Sequence, residues 1–256
     1  MTRKPGSRQP QRTPRRSSNR PSDRSSELIY GVHAATAALA NPARTVLGIT
    51  TTRNMATRFA QDIATAGLEP EIADPRAIDK LAGDGAVHQG ICLITAPLEQ
   101  PDIADLPRDR PVVLLDQVTD PHNVGAIMRS CAAFAAGALI TTARHSPQGS
   151  AVLTKAASGA AEHVPLIKVT NLARAIEELK EASFAVIGLE GTAPVAIEQT
   201  TLPGPYALIL GAEDKGLRRL TREHCDDLAR LDLPGPLQSL NVSNAAALAL
   251  YALSRF

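Results

Sequence analysis

Aromatic residues are scarce in this 256-residue sequence, which has no tryptophan and only 3% aromatic residues. Sheet modules that read single-stranded RNA stack the bases on exposed aromatic rings, so we do not expect a module of that class. Cysteines are also few. Cys92, Cys131 and Cys225 lie far apart and form no CxxC pair, which argues against a disulfide framework or a zinc knuckle and favours a reducing cytoplasm.

Long hydrophobic runs are missing. The longest apolar stretches, such as 245–253, are far shorter than the roughly 20 residues that span a bilayer. The first residues carry charge without an apolar segment, so we predict no secretory signal. Hydrophobic residues make up 44% and charged residues 21%, as in ordinary globular proteins. We therefore expect a cytoplasmic protein with no membrane partner.

Several common catalytic motifs are absent as well. The turn 116–123 has no GxGxxG, the segment 211–216 does not have P-loop spacing, and the sequence contains neither HExxH nor GxSxG. Dinucleotide chemistry, bound nucleoside triphosphate, a zinc hydrolase site and a serine triad are each disfavoured. We predict no metal site.

Charge is distributed unevenly. Residues 1–26 hold eight Lys or Arg against one acid, whereas the remainder holds 19 basic and 25 acidic residues. This Pro-, Ser- and Arg-rich tail has no apolar residue after Met1, so it cannot bury a core, and we predict that it is disordered. It is either an arm that attracts nucleic acid by counterion release or a solubilising extension without a specific partner.

Hydrophobic patterning divides the rest of the chain in two. Residues 27–97 alternate short strands and helices in a small α/β unit, and the Pro-rich, acidic stretch 98–110 resembles a linker. From residue 111 to residue 256, short apolar strands alternate with helices. That alternation predicts an α/β fold with a mostly parallel sheet covered on both faces.

Three polar clusters follow predicted strands, at 116–130, 210–217 and 231–244. In open α/β sheets, ligands bind beyond the carboxyl ends of the strands, so the clusters together predict a site. Taken singly, each has a structural explanation. Asn123 occupies the position of a helix N-cap, Glu213 fits a solvated turn, and 239–241 could simply start the last helix. Arg129 lies off the apolar face of its predicted helix and is available to a ligand.

The same residues resemble three motifs of the SpoU/TrmH class of RNA ribose 2′-O-methyltransferases. Residues 123–129 match N-x-G-x-x-x-R, residues 211–216 match G-x-E-x-x-G, and residues 239–243 match S-L-N-V-S. Upstream, 30–34 and 85–90 resemble the small substrate-binding domain of these enzymes, which is similar to ribosomal protein L30e. The resemblance covers residues 28–256 and leaves out the basic tail.

This resemblance implies a C-terminal SPOUT domain tied in a deep trefoil knot, S-adenosylmethionine as cofactor, and a homodimer with its site at the subunit interface. Cofactor contacts are implied for five residues: Leu210, Gly211, Gly216, Leu231 and Leu240. Five more are implied for the catalytic surround: Asn123, Arg129, Glu213, Ser239 and Asn241. The family assigns the base role to the arginine matching Arg129; because arginine normally stays protonated, a phosphate clamp is the alternative.

Within the class, the sequence most resembles enzymes that methylate a guanosine ribose in the P loop of domain V of 23S rRNA. The implied partner is 23S rRNA or a large-subunit assembly particle. Two other functions stay open: a tRNA 2′-O-methyltransferase, and a non-catalytic RNA-binding or ribosome-assembly factor on the same fold. The sequence departs from the family at 231–233, where Leu-Asp-Leu replaces Ile-Pro-Met, and at 214–215, where Asp-Lys replaces smaller residues.

Overall fold

A computed structural model describes residues 26–83, 85–144, 151–237 and 239–255. The predicted basic tail, apart from Ser26, lies outside the described residues.

The first unit is built on a four-stranded sheet with strand order β1-β4-β2-β3, in which β4 runs antiparallel to both β1 and β2. Its helices pack around an apolar cluster that includes Ile29, Phe59 and Leu93. The strands are β1 (Glu27–Tyr30), β2 (Val46–Thr51), β3 (Glu71–Ile72) and β4 (Ile91–Thr95). The helices are α1 (Val32–Ala40), α2 (Arg53–Arg58), α3 (Ala60–Ala66) and α4 (Pro75–Ala82).

The patterning of 55–66 predicts one helix, but the structure has two. Phe59 leaves helical dihedrals, with φ −98° and ψ 15°, and its ring is buried in the core beside Ile49 and Ile63. Phe59 N still donates to Met55 O, and Ile63 N to Phe59 O, both at 2.9 Å, so the break changes the dihedral angles without interrupting the hydrogen bonds.

The second unit contains a seven-stranded sheet with strand order β7-β6-β5-β10-β8-β11-β9 within the described residues. Each neighbouring pair is parallel, which confirms the expected α/β fold with a mostly parallel sheet. The strands are β5 (Val112–Asp116), β6 (Ala138–Thr142), β7 (Leu166–Val169), β8 (Ala185–Leu189), β9 (Val195–Ala196), β10 (Tyr206–Gly211) and β11 (Asp227–Arg230). The helices are α5 (Pro121–Ala133), α6 (Ala151–Ala157), α7 (Leu172–Glu181), α8 (Arg219–His224) and α9 (Val242–Leu253). The trefoil knot stays a prediction.

Apolar side chains cover both faces of this sheet. One cluster joins the sheet to α5 and α9, and a second joins it to α7. Ile103 and Leu106, from the segment expected to be a linker, are buried in the second cluster with exposures of 7% and 4%. The connection between the two units is therefore packed onto the sheet rather than left in solvent.

The N-cap of α5 lies three residues earlier than the sequence predicts. Asp120 is its N-cap and accepts a hydrogen bond from His122 N at 3.0 Å, and Pro121 occupies the first helical position, which its fixed φ suits. The interpretation of Asn123 as the N-cap is wrong. Because Asp120 caps the helix, the amide of Asn123 is available for other partners.

Candidate active site

The strand order brings the three polar clusters to one edge of the second sheet. Strands β5, β10, β8 and β11 are successive neighbours, and because they are parallel, their carboxyl ends lie along the same edge. The loops that follow β5, β10 and β11 carry the three clusters. Segments that are far apart in sequence therefore form one surface.

Glu213 is the centre of a hydrogen-bonded junction among these loops. Its Oε1 accepts hydrogen bonds from Asn241 Nδ2 at 2.7 Å, from Val242 N at 3.1 Å and from Asn123 Nδ2 at 3.3 Å. Asn241 Nδ2 also donates to Asn123 Oδ1 at 3.0 Å. The structure thus joins one residue from each of the three motifs into a single polar cluster.

Asn241 has a second function as the N-cap of α9. Its Oδ1 accepts hydrogen bonds from Ser243 N at 2.9 Å and from Ser243 Oγ at 2.5 Å. Caps of this kind satisfy amide groups that the first turn of a helix leaves unpaired. The position of Glu213 and the start of α9 are coupled through Asn241.

A buried carboxylate that the sequence analysis did not single out anchors the loop after β10. Asp116, the last residue of β5, is fully buried and accepts hydrogen bonds from Arg218 N at 2.9 Å and Arg218 Nε at 2.6 Å. Buried charges need such partners because desolvation is costly. The position of Asp116 at the carboxyl end of a predicted strand is the signal that could have identified it.

A cavity of about 170 Å³ lies beside the junction. All five residues implied as cofactor contacts line it, and two of the implied catalytic residues do so as well. These residues are Leu210, Gly211, Glu213, Gly216, Leu231, Ser239 and Leu240. The cavity therefore brings together the residues predicted to contact the cofactor.

Gly211 lines the cavity and packs closely on the backbone of Gly216 and Leu217. A Cβ there would lie 2.6 Å from Leu217 N and still closer to the carbonyl group of Gly216. Real Cβ atoms do not approach backbone so closely, so only glycine fits. Gly211 and Gly216 both line the cavity without side-chain bulk.

Sequence reasoning missed part of the lining. Leu189, Glu190 and Gly191 contribute to it from the carboxyl end of β8, where the sequence predicted no site residue. Glu190 is ion-paired with Arg222. The departure at 231–233 keeps the apolar lining, since Leu231 and Leu233 face the cavity while Asp232 pairs with Arg230 at 2.8 Å.

Arg129 and Ser239 lie outside the hydrogen-bonded junction. Arg129 is exposed on α5, as its position off the apolar face predicts, and its side chain has no hydrogen bond or ion pair with any described residue. Ser239 is exposed at the cavity. Within the described residues of one chain, Arg129 therefore makes no hydrogen bond or ion pair with Glu213.

The cysteines are free; Cys92 and Cys131 are buried, and Cys225 is half-buried. Burial raises the pKa of Cys92 to about 11 and the pKa values of Cys131 and Cys225 to about 12. Within the described ranges, no group of three or more His, Cys, Asp or Glu side chains could hold a metal ion, and no helix is long and apolar enough to cross a membrane.

Comparison with known proteins explains this geometry. The profile of the SpoU rRNA Methylase family matches residues 110–251, which include the whole polar junction. The chain belongs to the SpoU rRNA methylase family. A second profile, described as RNA 2′-O ribose methyltransferase substrate binding, matches residues 28–101.

Relatives of this SpoU protein match it over most of its length. It is 41% identical to the 23S rRNA (guanosine-2′-O-)-methyltransferase RlmB of Yersinia pestis, over 90% of this chain and 97% of that protein. It is 39% identical to RlmB of Escherichia coli K12, over 90% and 98%. The SpoU methyltransferase AviRb from Streptomyces viridochromogenes, solved with the cofactor AdoMet, has the same fold, with a TM-score of 0.78, 21% identity and 90% coverage of both chains.

Proposed function

We propose that this protein transfers a methyl group from S-adenosylmethionine to the ribose 2′-oxygen of a guanosine in 23S rRNA, in the P loop of domain V. The observation that carries the proposal is the junction of Asn123, Glu213 and Asn241 beside a cavity whose lining includes all five predicted cofactor residues. The relatives named RlmB support the choice of a guanosine in 23S rRNA.

The cavity fits the cofactor by its chemistry. Leu189, Leu210 and Leu231 offer apolar surface suited to a purine ring, and the peptide groups of Gly211 and Gly216 offer hydrogen-bonding atoms without side-chain bulk. When bound, the cofactor supplies an activated methyl group on a sulfonium. The chain's own contribution is to hold the reacting atoms in line and to exclude water.

The Asn123–Glu213–Asn241 junction orients this surface. Because Glu213 accepts hydrogen bonds from α5 and from the start of α9, its carboxylate restrains these two helices relative to the loop after β10. Preorganised polar groups of this kind need no rearrangement during the reaction. We assign the junction to shaping the site, with Ser239 as a further polar group at the cavity.

For Arg129 we propose a phosphate clamp rather than a proton acceptor. Its guanidinium is exposed and unpaired among the described residues, and arginine is suited to bidentate phosphate contacts while it rarely gives up its proton. In this arrangement another group takes the hydroxyl proton, and Arg129 holds the RNA backbone.

We propose that the protein acts as a homodimer. Leu248 and Tyr251 are 46% and 49% exposed on α9, which packs against α5, the helix of Arg129. Apolar side chains exposed together on one helix face are typical of interfaces. A dimer through this face would bury them and would allow Arg129 of the partner subunit to complete the site.

The domain assignment follows from the same argument. We assign residues 27–97 to RNA binding, 98–110 to the connection and 111–256 to methyl transfer, and we place the protein in the cytoplasm with ribosomal RNA or a large-subunit assembly particle. A tRNA enzyme of this class usually lacks the first unit, which here matches a substrate-binding profile. A non-catalytic factor would be free to lose Asn123, Arg129 and Glu213, and all three are present.

The test is transfer of labelled methyl from S-adenosylmethionine to unmodified 23S rRNA and, separately, to total tRNA. Primer extension sensitive to 2′-O-methylation would map the product. We expect one new stop at a guanosine in domain V, lost in Arg129→Ala and kept in Arg174→Ala, which removes an exposed arginine of α7. Methylation of tRNA alone would contradict the proposal that 23S rRNA is the substrate. Cofactor binding without methyl transfer to 23S rRNA, tRNA or assembly particles would contradict the proposal that the protein is an enzyme.

A further inference from the structure

A buried ion pair connects the two units of the protein. Arg44, between α1 and β2, donates from Nη2 to Glu162 Oε1 at 2.8 Å and from Nε to Glu162 Oε2 at 3.0 Å. Glu162 ends the 3₁₀ turn 160–162 that follows α6. The two side chains are only 3% and 2% exposed, so this bidentate contact is shielded from solvent.

Further contacts complete the pair. Arg44 Nη1 donates to Glu27 Oε2 at 2.8 Å and to Ala96 O at 2.9 Å, and Asn41 Nδ2 donates to Glu162 Oε2 at 2.8 Å. Burial alone would lower the pKa of Arg44, but the hydrogen bonds and charges of Glu162 and Glu27 outweigh it and raise the pKa. The guanidinium of Arg44 therefore stays charged, and each of its three nitrogen atoms donates a hydrogen bond within this cluster.

Helix α6 connects the region of this ion pair with the candidate active site. Glu162 lies a few residues beyond α6, and Lys155 of α6 donates to Gln89 Oε1 of the first unit at 2.9 Å. Helix α6 packs closely on α5, because a Cβ at Gly125 would lie 2.5 Å from Ala156 Cβ. Helix α5 carries Asn123 and Arg129, so the first unit is linked through α6 to the helix of the first motif.

The Arg44–Glu162 pair is better suited to fixing the relative orientation of the two units than to stabilising the fold. Replacing a buried ion pair by apolar side chains of similar volume is often neutral or stabilising, because desolvation offsets the attraction between the charges. Planar bidentate geometry, by contrast, restricts the orientation of the guanidinium relative to the carboxylate. A packed apolar contact at the same place would leave the units more freedom to slide.

We propose that Arg44 and Glu162 are positioning residues that hold the substrate-binding unit in one orientation relative to α5, so that RNA bound by the first unit presents its ribose to the Asn123–Glu213–Asn241 junction. This inference rests on the proposed function for its consequence, but the orientation itself is measurable without RNA or catalysis.

The geometric test uses spin labels at two introduced cysteines, Leu47→Cys in the first unit and Leu220→Cys in the second. Both positions are more than half exposed. The distance distribution between the labels would be compared in the double-labelled parent and in parents carrying Glu162→Gln or Arg44→Met. We expect a narrow distribution in the parent and a clearly broadened one in both variants. Labelling the chain without introduced cysteines measures the background from the native thiols.

The functional test uses unlabelled protein and steady-state methylation of 23S rRNA. Because a misplacement of about 1 Å can cost on the order of 100-fold in rate, we expect kcat to fall at least tenfold in Glu162→Gln and Arg44→Met, with the KM for S-adenosylmethionine unchanged. Arg44→Lys retains the charge without the bidentate fork and should recover part of the rate. The double variant Arg44→Met/Glu162→Gln should be no slower than the slower single variant.

The matched control is Glu178→Gln, which breaks an exposed ion pair with Arg174 in the second unit and should change neither readout. Parent-like distance distributions in both variants would overturn the proposal. The proposal would also be overturned if the variants had the parent's turnover rate per cofactor-binding molecule, because the rate loss would then reflect only a smaller folded fraction. If the parent methylates no RNA, the proposed function fails, while the distance measurement still decides whether the pair sets the orientation.

Discussion

Glu213 and Asn241 are 28 residues apart in the chain, and Asn241 Nδ2 donates a 2.7 Å hydrogen bond to Glu213 Oε1. The same asparagine caps α9 through Oδ1, so one side chain holds both the carboxylate at the cavity and the first turn of the last helix. The position of the Glu213 carboxylate and the start of α9 therefore depend on the same side chain.

Glu213→Ala should damage catalysis more than stability. The variant loses three hydrogen bonds to a charged acceptor. Because Glu213 is exposed and water can replace it, we expect a stability loss of only about 1 kcal/mol, below the roughly 1.5–3 kcal/mol of a single bond to a charged group. Methyl transfer should fall on the order of 100-fold, as it does when a preorganised polar group is removed. Urea unfolding and labelled-methyl transfer measure the two effects. Asp214→Ala, the adjacent exposed acid, is the control, and equal rate losses in both variants would contradict the assignment.

Gly211→Ala should weaken cofactor binding. The added methyl group would collide with the Gly216 carbonyl and Leu217 N, and relieving an overpacked contact costs roughly 1–3 kcal/mol. Isothermal titration with S-adenosylmethionine should show a higher Kd and thermal unfolding a lower Tm. At Gly48 a Cβ would meet no atom within 4 Å, so Gly48→Ala is the matched control. Unchanged affinity in Gly211→Ala would argue against this cavity as the cofactor site.

Arg129→Ala should lose methyl transfer while folding and cofactor binding stay intact, because the side chain is exposed and has no partner among the described residues. Co-expressing Arg129→Ala with Glu213→Ala, each with its own tag, tests the shared site. If one protomer supplies Arg129 and its partner supplies Glu213, the mixed population should regain about a quarter of parent activity, because half the dimers are mixed and each has one complete site. Purified mixed dimers without activity would refute a shared site.

Removing the basic tail should weaken RNA binding and flatten its salt dependence. Residues 1–26 carry eight Lys or Arg, and each phosphate contact contributes roughly 0.7–0.9 to the slope of log K against log salt. Binding to 23S rRNA fragments at several salt concentrations measures this, with the Kd for S-adenosylmethionine as the internal control. A slope equal to that of the full chain would favour the solubilising role.

The native thiols should resist alkylation. Burial raises the pKa of Cys92 to about 11 and those of Cys131 and Cys225 to about 12, from a usual value of 9.0, so little thiolate is present at pH 8. Mass spectrometry after iodoacetamide treatment should show no adduct on the folded chain and three in urea. Since the folded state keeps these protons longer than the unfolded state, Tm should fall as pH rises above 9. Rapid labelling of Cys92 or Cys131 in the folded protein at pH 8 would contradict their burial.

Local sequence patterns were sufficient for much of the fold and site. The alternation of short apolar strands and helices after residue 111 predicted the parallel sheet, because buried strands and amphipathic helices have different periods. Polar loops at the ends of those strands predicted the site, and the resemblance of three motifs to SpoU enzymes identified Glu213 and the cavity residues. Each of these signals lies within a short stretch of chain.

Contacts between distant stretches could not be obtained in this way. Nothing near residue 206 indicates that β10 lies between β5 and β8, nor that Asp116 anchors Arg218 across 102 positions. Asp120, rather than Asn123, caps α5, and only the folded loops reveal what the amide of Asn123 binds instead.

The Arg44–Glu162 pair illustrates the difference between what local sequence determines and what tertiary packing decides. Composition and periodicity determined which segments become strands and helices, because backbone propensity and the spacing of apolar side chains act over a few residues. Tertiary packing decided which strands are neighbours, which charges are buried and which motifs meet. Those choices depend on burying the apolar faces of all elements together, and polar groups trapped by that burial must then find partners wherever the chain places them.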